Sequence, residues 1–235
     1  MSDYSVILPA YNEAVLIAET LEALGSAMAL STLVGEVIVV DNNSTDDTAK
    51  IAQRMGARVL FEPINQISRA RNLGAQSASG KYLIFLDADS RLTPDLLRLA
   101  LASLESGGVI GGGALVQFPN PDAVSIRLWN WVSVTFGLAA GSFIYTHAGA
   151  FHQVGGFSEK LYAAEELNFS RKLKSLGKKT SQRFEIIRSN PLLTSPRKLE
   201  WHPQWKILIT FGMLMLFPLL LRFPSCLPFW YKRPS

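Results

Sequence analysis

Tyr82-Leu83-Ile84-Phe85-Leu86-Asp87-Ala88-Asp89 is the stretch that decides the fold. Five apolar residues, rich in aromatic and β-branched types, read as a buried strand. The run stops at two carboxylates spaced i and i+2. On extended chain such residues project to the same side. Both can then approach one hard cation, and carboxylate oxygens suit Mg²⁺ or Mn²⁺. In an open α/β sheet, ligands bind outside the carboxyl ends of strands. Acidic turns after strands are common and usually only solvated, so the weight of this motif comes from its neighbours.

Two earlier strands end in the same way. Tyr4-Ser5-Val6-Ile7-Leu8 runs into Pro9-Ala10-Tyr11-Asn12-Glu13. Val37-Ile38-Val39-Val40 runs into Asp41-Asn42-Asn43-Ser44-Thr45-Asp46-Asp47. Upstream of the third strand stand Ala70-Arg71-Asn72-Leu73-Gly74-Ala75 and Ser79-Gly80-Lys81. Downstream come Gly155-Gly156-Phe157, then Glu165-Glu166 heading a helical pattern through Leu173. In this order, across residues 3–180, the set resembles the family-2 type of inverting glycosyltransferases, which have the GT-A fold.

The intervening patterns agree with an α/β chain. Strands alternate with helical segments, which implies a Rossmann-like, mainly parallel sheet flanked by helices. A first helix is expected over residues 13–30, with Val15, Ala18, Leu21, Leu24 and Met28 on its apolar side. Ser44 is placed to cap a second helix. Arg58-Val59-Leu60-Phe61 reads as a short strand, and residues 69–77 as a helix. Thr93 caps a further helix with Pro94 at its first position. Gly111-Gly112-Gly113 implies close backbone approach within a strand over residues 109–118. Trp129, Trp131 and Phe136 lie in an apolar, helix-like stretch. Residues 1–190 form the expected catalytic domain, with a nucleotide half at 1–90 and an acceptor half at 91–190. Residues 191–235 form a separate tail.

Bulk numbers narrow the class. A chain of 235 residues is long enough for one large core. No basic and apolar leader opens it, and the lone Cys226 makes no internal disulfide, so a reducing, cytoplasmic setting is expected. Charge is split. Residues 1–170 carry 10 Lys/Arg and 17 Asp/Glu, whereas residues 171–235 carry 13 Lys/Arg and 2 Asp/Glu. The basic part is expected to meet an anionic surface. No nucleic-acid motif accompanies it, and next to an apolar tail a membrane surface suits it better. Lys172, Lys174, Lys178 and Lys179 also read as the solvated side of a helix.

The tail holds 15 uncharged residues at 207–221, interrupted by Pro218. As a helix that is roughly 22 Å, short of a ~30 Å hydrocarbon core. Trp230 and Tyr231, followed by Lys232 and Arg233, look like an interfacial anchor. A helix lying in the interface or a re-entrant hairpin is one reading. A core or dimer-forming helix is the other.

The resemblance implies roles for particular residues. Pro9, Ala10 and Tyr11 would line the nucleotide base, with Glu13 near the nucleoside and Asp41 accepting from a base N–H. Tyr11 as ordinary packing and Asp41 as a turn cap are the alternatives from the residues alone; Asp46 and Asp47 read as turn formers. Arg71, with Arg69 as its rival, could pair with phosphate. Asp87-Ala88-Asp89 would meet the ribose and hold Mn²⁺ or Mg²⁺, with Asp89 as the main ligand. Glu166 would be the general base, or Glu165 if the register shifts by one. A helix start favours the ionised carboxylate. Gly156 and Phe157 would form the acceptor turn, and Arg197 would reach the diphosphate. His147 and His152 read as satisfied polar residues. Arg91 stands where some relatives carry a polar ligand, and arginine cannot ligate a cation.

The implied activity is metal-dependent, inverting transfer of one sugar, of the hexosyl type, from a sugar nucleotide to a hydroxyl. No Gln-x-x-Arg-Trp stretch, the companion of processive synthases in this family, is present. Two other functions stay open. One is a nucleotidyltransferase, whose Gly-rich loop with Arg and Lys after the first strand is missing. The other is a non-catalytic membrane-bound member, against which intact Asp87, Asp89 and Glu166 argue.

Overall fold

The computed structural model describes residues 2–117, 130–131, 133–195, 221–223 and 227. Its frame is one mixed sheet. Strands β1 (Tyr4–Ala10), β2 (Gly35–Asp41), β3 (Arg58–Phe61) and β4 (Tyr82–Leu86) run parallel in the order β3-β2-β1-β4. All seven residues of β1 are buried, because helices cover both faces of a parallel sheet. Its alternation is that of a pleat. Val6 and Leu8 point into one core layer and Ile7 into the other. Helices α1 (Ile17–Ala29), α2 (Thr48–Arg54) and α3 (Ile67–Ser77) make the crossovers. The chain moves outward from β1 to β3, then α3 returns it to β4 on the other side of β1. This reversal leaves a crevice at the carboxyl ends of β1 and β4, where open α/β sheets bind ligands.

The second half of the sheet departs from the parallel pattern. Beyond β4 lie β7 (Phe143–His147), β6 (Val109–Gln117), β8 (Arg183–Thr194) and the two-residue β5 (Ser90–Arg91). β7 is antiparallel to both β4 and β6, β8 is parallel to β6, and β5 is antiparallel to β8. β6 is squeezed as its glycines imply: a Cβ at Gly111 would lie 2.6 Å from the Tyr145 carbonyl oxygen, and one at Gly112 would strike the Glu185 carbonyl. α4 (Pro94–Glu105) begins as expected, with the Thr93 hydroxyl accepting the Leu96 N–H. α5 (Ala148–Gln153) and α6 (Glu165–Thr180) cover the opposite face. There Phe85, Phe151, Phe157 and Phe169 pack with Leu173 into a second core layer.

Local differences have clear causes. α1 starts at Ile17 and not at residue 13, and Val15 is 83% exposed. Residues 13–16 form a turn instead, the Glu13 carbonyl accepting from Leu16 and Ile17 N–H. Ser44 does not cap α2, because its hydroxyl accepts the Asn12 N–H. The Asp46 carboxylate takes the Thr48 N–H in its place. Trp131 and Phe136 are exposed. β8 continues past residue 190 to Thr194, so the sheet extends beyond the expected domain edge. No helix among the described residues is long and apolar enough to cross a membrane. Trp129, Arg197 and the 207–220 stretch lie outside the described residues.

Candidate active site

β4 ends at Leu86, and the next residues turn. The Asp87 carbonyl accepts the Ser90 N–H at 3.2 Å. Asp87 and Asp89 are therefore related by a tight turn, and not by the extended two-residue pleat the spacing suggested. The turn is tied on every side. The Asp87 N–H donates to the Ser142 carbonyl at 3.1 Å, and the Asp89 carbonyl accepts the Ser195 N–H at 3.1 Å. The buried Ala88 carbonyl accepts the Thr20 hydroxyl at 2.9 Å. Beside Asp89 opens a cleft of about 420 Å³, walled by Leu16, Thr20, Thr194 and Ser195. Arg91, at its rim, pairs with Glu19.

Arg71 is the centre of the site. It rises from the middle of α3 and is 1% exposed. Nη1 donates to Glu165 Oε1 at 2.7 Å, and Nη2 to Asp87 Oδ1 at 3.1 Å and the Gly141 carbonyl at 2.7 Å. Its guanidinium carbon lies 5.2 Å above the Phe157 ring. Burial works against its charge, but Asp87, Glu165 and Glu166 outweigh burial and move its pKa up. The expected contact of Arg71 with phosphate is thus replaced by a buried ion-pair network. A charge this deep persists only when paired and hydrogen-bonded. Arg69 is equally committed, to Glu62 at 3.2 Å and Glu159 at 2.9 Å.

Glu165 and Glu166 head α6 as the sequence placed them. Their environments differ. Glu165 is 3% exposed and paired with Arg71. Glu166 is half-buried beside Gly141, whose Cβ position would lie 3.6 Å from its carboxyl carbon. Burial, then the neighbouring Glu165, push the Glu166 carboxyl up to about 8 against the pull of Arg71. Desolvation and a like charge thus act against the helix start, which favours the ionised carboxylate.

At the nucleotide end, Pro9 and Ala10 are buried in β1 and carry the half-buried Tyr11 at its tip. Glu13 is 5% exposed, and its N–H donates to Thr48 Oγ1 at 2.7 Å. Asp41 Oδ1 accepts the Ser44 N–H at 3.1 Å, a turn contact that uses one carboxylate oxygen. Asn12, given no role by the motif, sits at φ 51 and clasps this loop to the next, its Oδ1 accepting the Thr45 N–H at 2.7 Å.

The acceptor turn is supported from beneath. Gly156 has φ 60, and a Cβ there would lie 2.7 Å from Asn72 Oδ1. Asn72 accepts the Phe157 N–H and donates to its carbonyl, both at 3.0 Å. Phe157 is 2% exposed. Its ring stacks at 4.3 Å on Phe169 and under Arg71, so it props the site rather than lining an acceptor surface as expected. His147 is satisfied by the Val109 carbonyl at 3.1 Å. Gly141 and Ser142, whose carbonyls hold Arg71 and the Asp87 N–H, belong to no motif in the sequence. The only signal for them was the small-residue run Ala139-Ala140-Gly141-Ser142, which permits close approach.

The carboxylates suit a hard cation. Among the described residues no cluster of three or more His, Cys, Asp or Glu could hold a metal alone. Asp87 lends one oxygen to Arg71, and Asp89 lines the cleft beside it. Mg²⁺-type ions bind through one or two carboxylates and complete their shell with substrate phosphates, so this donor set fits.

Comparison with known proteins bears on the same region. The model of Glycosyl transferase family 2 matches residues 5–153, a span running from β1 to the end of α5. The chain belongs to this family. It is 27% identical over 202 residues to Glycosyltransferase AglE of Haloferax volcanii, covering 80% of this chain and 66% of AglE. The fold is GT-A. Mannosyltransferase PcManGT from Pyrobaculum calidifontis, solved with GDP-Man and Mn²⁺, superposes with TM-score 0.74 at 20% identity, covering 96% of this chain and 64% of that one. S. aureus TarS 1-349 superposes with TM-score 0.68 at 21% identity, covering 90% and 65%. The chain thus spans about two thirds of these proteins.

Proposed function

We propose that this family-2 member transfers a single sugar from a sugar nucleotide to a hydroxyl acceptor, with inversion at the anomeric carbon. One observation carries the reading: a single buried guanidinium, that of Arg71, joins Asp87 at the sheet's switch point to Glu165 at the head of α6. Nucleotide-side and acceptor-side carboxylates are thereby held in one constellation.

The roles follow from position. Tyr11 offers an aromatic face to the base, and the second Asp41 oxygen accepts from a base N–H. Asp87 and Asp89 would hold Mn²⁺ or Mg²⁺, which when bound offsets charge on the departing diphosphate. Glu166 takes the proton of the acceptor hydroxyl as its oxygen attacks the anomeric carbon and the bond to the diphosphate breaks. A carboxyl held near 8 is well matched to that proton transfer. Glu165 stays with Arg71 and keeps Glu166 in register. The names of relatives support the donor class: one solved neighbour holds GDP-Man, and another S. aureus TarS structure holds UDP-GlcNAc.

The acceptor in this reading is lipid-linked or membrane-adjacent, at the cytoplasmic face. The excess of basic residues after residue 170 supports it, as does the interfacial composition of the tail. The test is a panel of sugar nucleotides, each scored for Mn²⁺-dependent thermal stabilisation, followed by product analysis of the donor that responds. A product that keeps the donor's anomeric configuration overturns the single-displacement reading.

A further inference from the structure

Among the described residues, Leu221 and Leu227 meet the catalytic half directly before the base. The Tyr162 N–H donates to the Leu221 carbonyl at 2.7 Å. Leu227 is fully buried against Ala163, with Tyr162 and Leu221 packed around the pair. The next residue, Ala164, is the N-cap of α6 at φ 58 and ψ 21, without a side-chain cap. A residue with a Cβ is disfavoured there, and such a conformation persists only where its surroundings over-determine it. Two anchors do so. On one side α3 holds the preceding turn, Gln66 Nε2 donating to the carbonyls of Glu159 at 2.8 Å and Leu161 at 3.0 Å. On the other side stand Leu221 and Leu227. Glu165 and Glu166 follow Ala164 without an intervening residue.

We propose that Leu221 and Leu227 are positioning residues for the general base: they clamp Tyr162 and Ala163, fix the left-handed turn at Ala164, and thereby set where α6 starts and where Glu166 points. The C-terminal part of the chain is then a component of the catalytic unit and not an appendage. This rests on Glu166 being the base. Removing the clamp lets the first turn of α6 fray. The backbone of the Asp87–Asp89 turn and the nucleotide loops are held by contacts outside α6 and stay in place.

The test uses the full chain with Leu227→Ala and the conservative Leu227→Met. Three readouts are taken: hydrogen exchange of the backbone amides at 164–168, calorimetric affinity for UDP and GDP with Mn²⁺, and turnover of the stabilising sugar nucleotide. Leu227→Ala should raise exchange at those amides about tenfold or more, as local opening becomes easier. Nucleotide affinity and donor KM should be unchanged, and kcat should fall about 10²-fold, the size of effect a misplaced catalytic group produces. Leu227→Met should restore both. Unchanged exchange at 164–168 overturns the clamp, as does an equal rise across β4. If Leu227→Ala does not fold, Leu227→Val is judged on the same amides. A wild-type chain that no sugar nucleotide of the panel stabilises overturns the proposed transfer instead, while the exchange data still decide the clamp.

Discussion

Arg71 and Glu165 are joined at 2.7 Å inside the protein, although 94 residues separate them in the chain. One belongs to the crossover helix of the nucleotide half and the other to the helix that presents the base. The pair welds the two halves at the point where chemistry is expected.

Arg71→Met should therefore damage both stability and activity. It takes the cation away from the buried Glu165 carboxylate and the partly exposed Asp87, and breaking a buried pair costs about 3–5 kcal/mol. Arg71→Lys should recover little, since one ammonium cannot reproduce the fork that reaches Asp87, Glu165 and the Gly141 carbonyl together. Thermal unfolding of the three proteins checks this. A lysine variant as stable as wild type would show that only charge matters.

Asp89→Ala should leave the fold intact and abolish the enhancement of UDP or GDP binding by Mn²⁺. Asp89 lines the cleft beside the β4 turn, while the turn itself is held by backbone contacts that alanine keeps. Calorimetry with and without the cation is the measurement. Full enhancement in the variant would remove Asp89 from the metal site.

Glu166→Gln should lower transfer by about 10²–10⁴-fold while nucleotide binding persists. Glu165→Gln should behave differently, losing stability because it weakens the partner of a buried arginine. A Glu165→Gln protein that is stable but inactive, beside an active Glu166→Gln, would exchange the two roles.

The pH dependence follows from Glu166, raised from 4.5 to about 8 chiefly by burial and then by Glu165. The base works deprotonated, so kcat/KM should climb with pH through an inflection near 8. In Glu165→Gln that inflection should move to lower pH, because a like charge is gone. Stability runs the other way. The folded state holds this proton more tightly than the unfolded chain, so the contribution is complete below 4.5 and is lost as pH rises through about 8. Melting curves of wild type should fall over that window relative to Glu166→Gln, and parallel curves would contradict the raised value.

The intact chain should sediment with vesicles containing anionic lipid, less in high salt but not to zero. Basic residues near such a surface contribute about 1 kcal/mol each, screened by salt, whereas apolar contact is not. Equal sedimentation with neutral vesicles would point to the apolar tail alone, and a chain that ignores both vesicles and forms a dimer through the tail would favour the oligomerisation reading.

Much of this was legible in the linear chain because its causes are local. The apolar runs ending at Leu8, Val40 and Leu86, the Thr93-Pro94 start of α4 and the acidic head of α6 depend on near neighbours, and each falls within or at the start of an observed element. Asp87, Asp89, Glu165 and Glu166 could be marked for the same reason: carboxylates at element ends are visible in one dimension. The sequence also determined which strands are covered on both faces, through their unbroken apolar composition. What it could not show is how those ends share partners. Arg71 carries the same guanidinium whether it faces phosphate or carboxylate, and only the packing of α3 under Gly141 and α6 buries it between Asp87 and Glu165. The environment of Glu166, the turn geometry of Asp87 and Asp89, and the contact of Leu227 with Ala163 likewise arise from groups far apart in the chain. Desolvation and pairing are properties of a place in the folded molecule, and that place exists only after the two halves of the sheet have closed on each other.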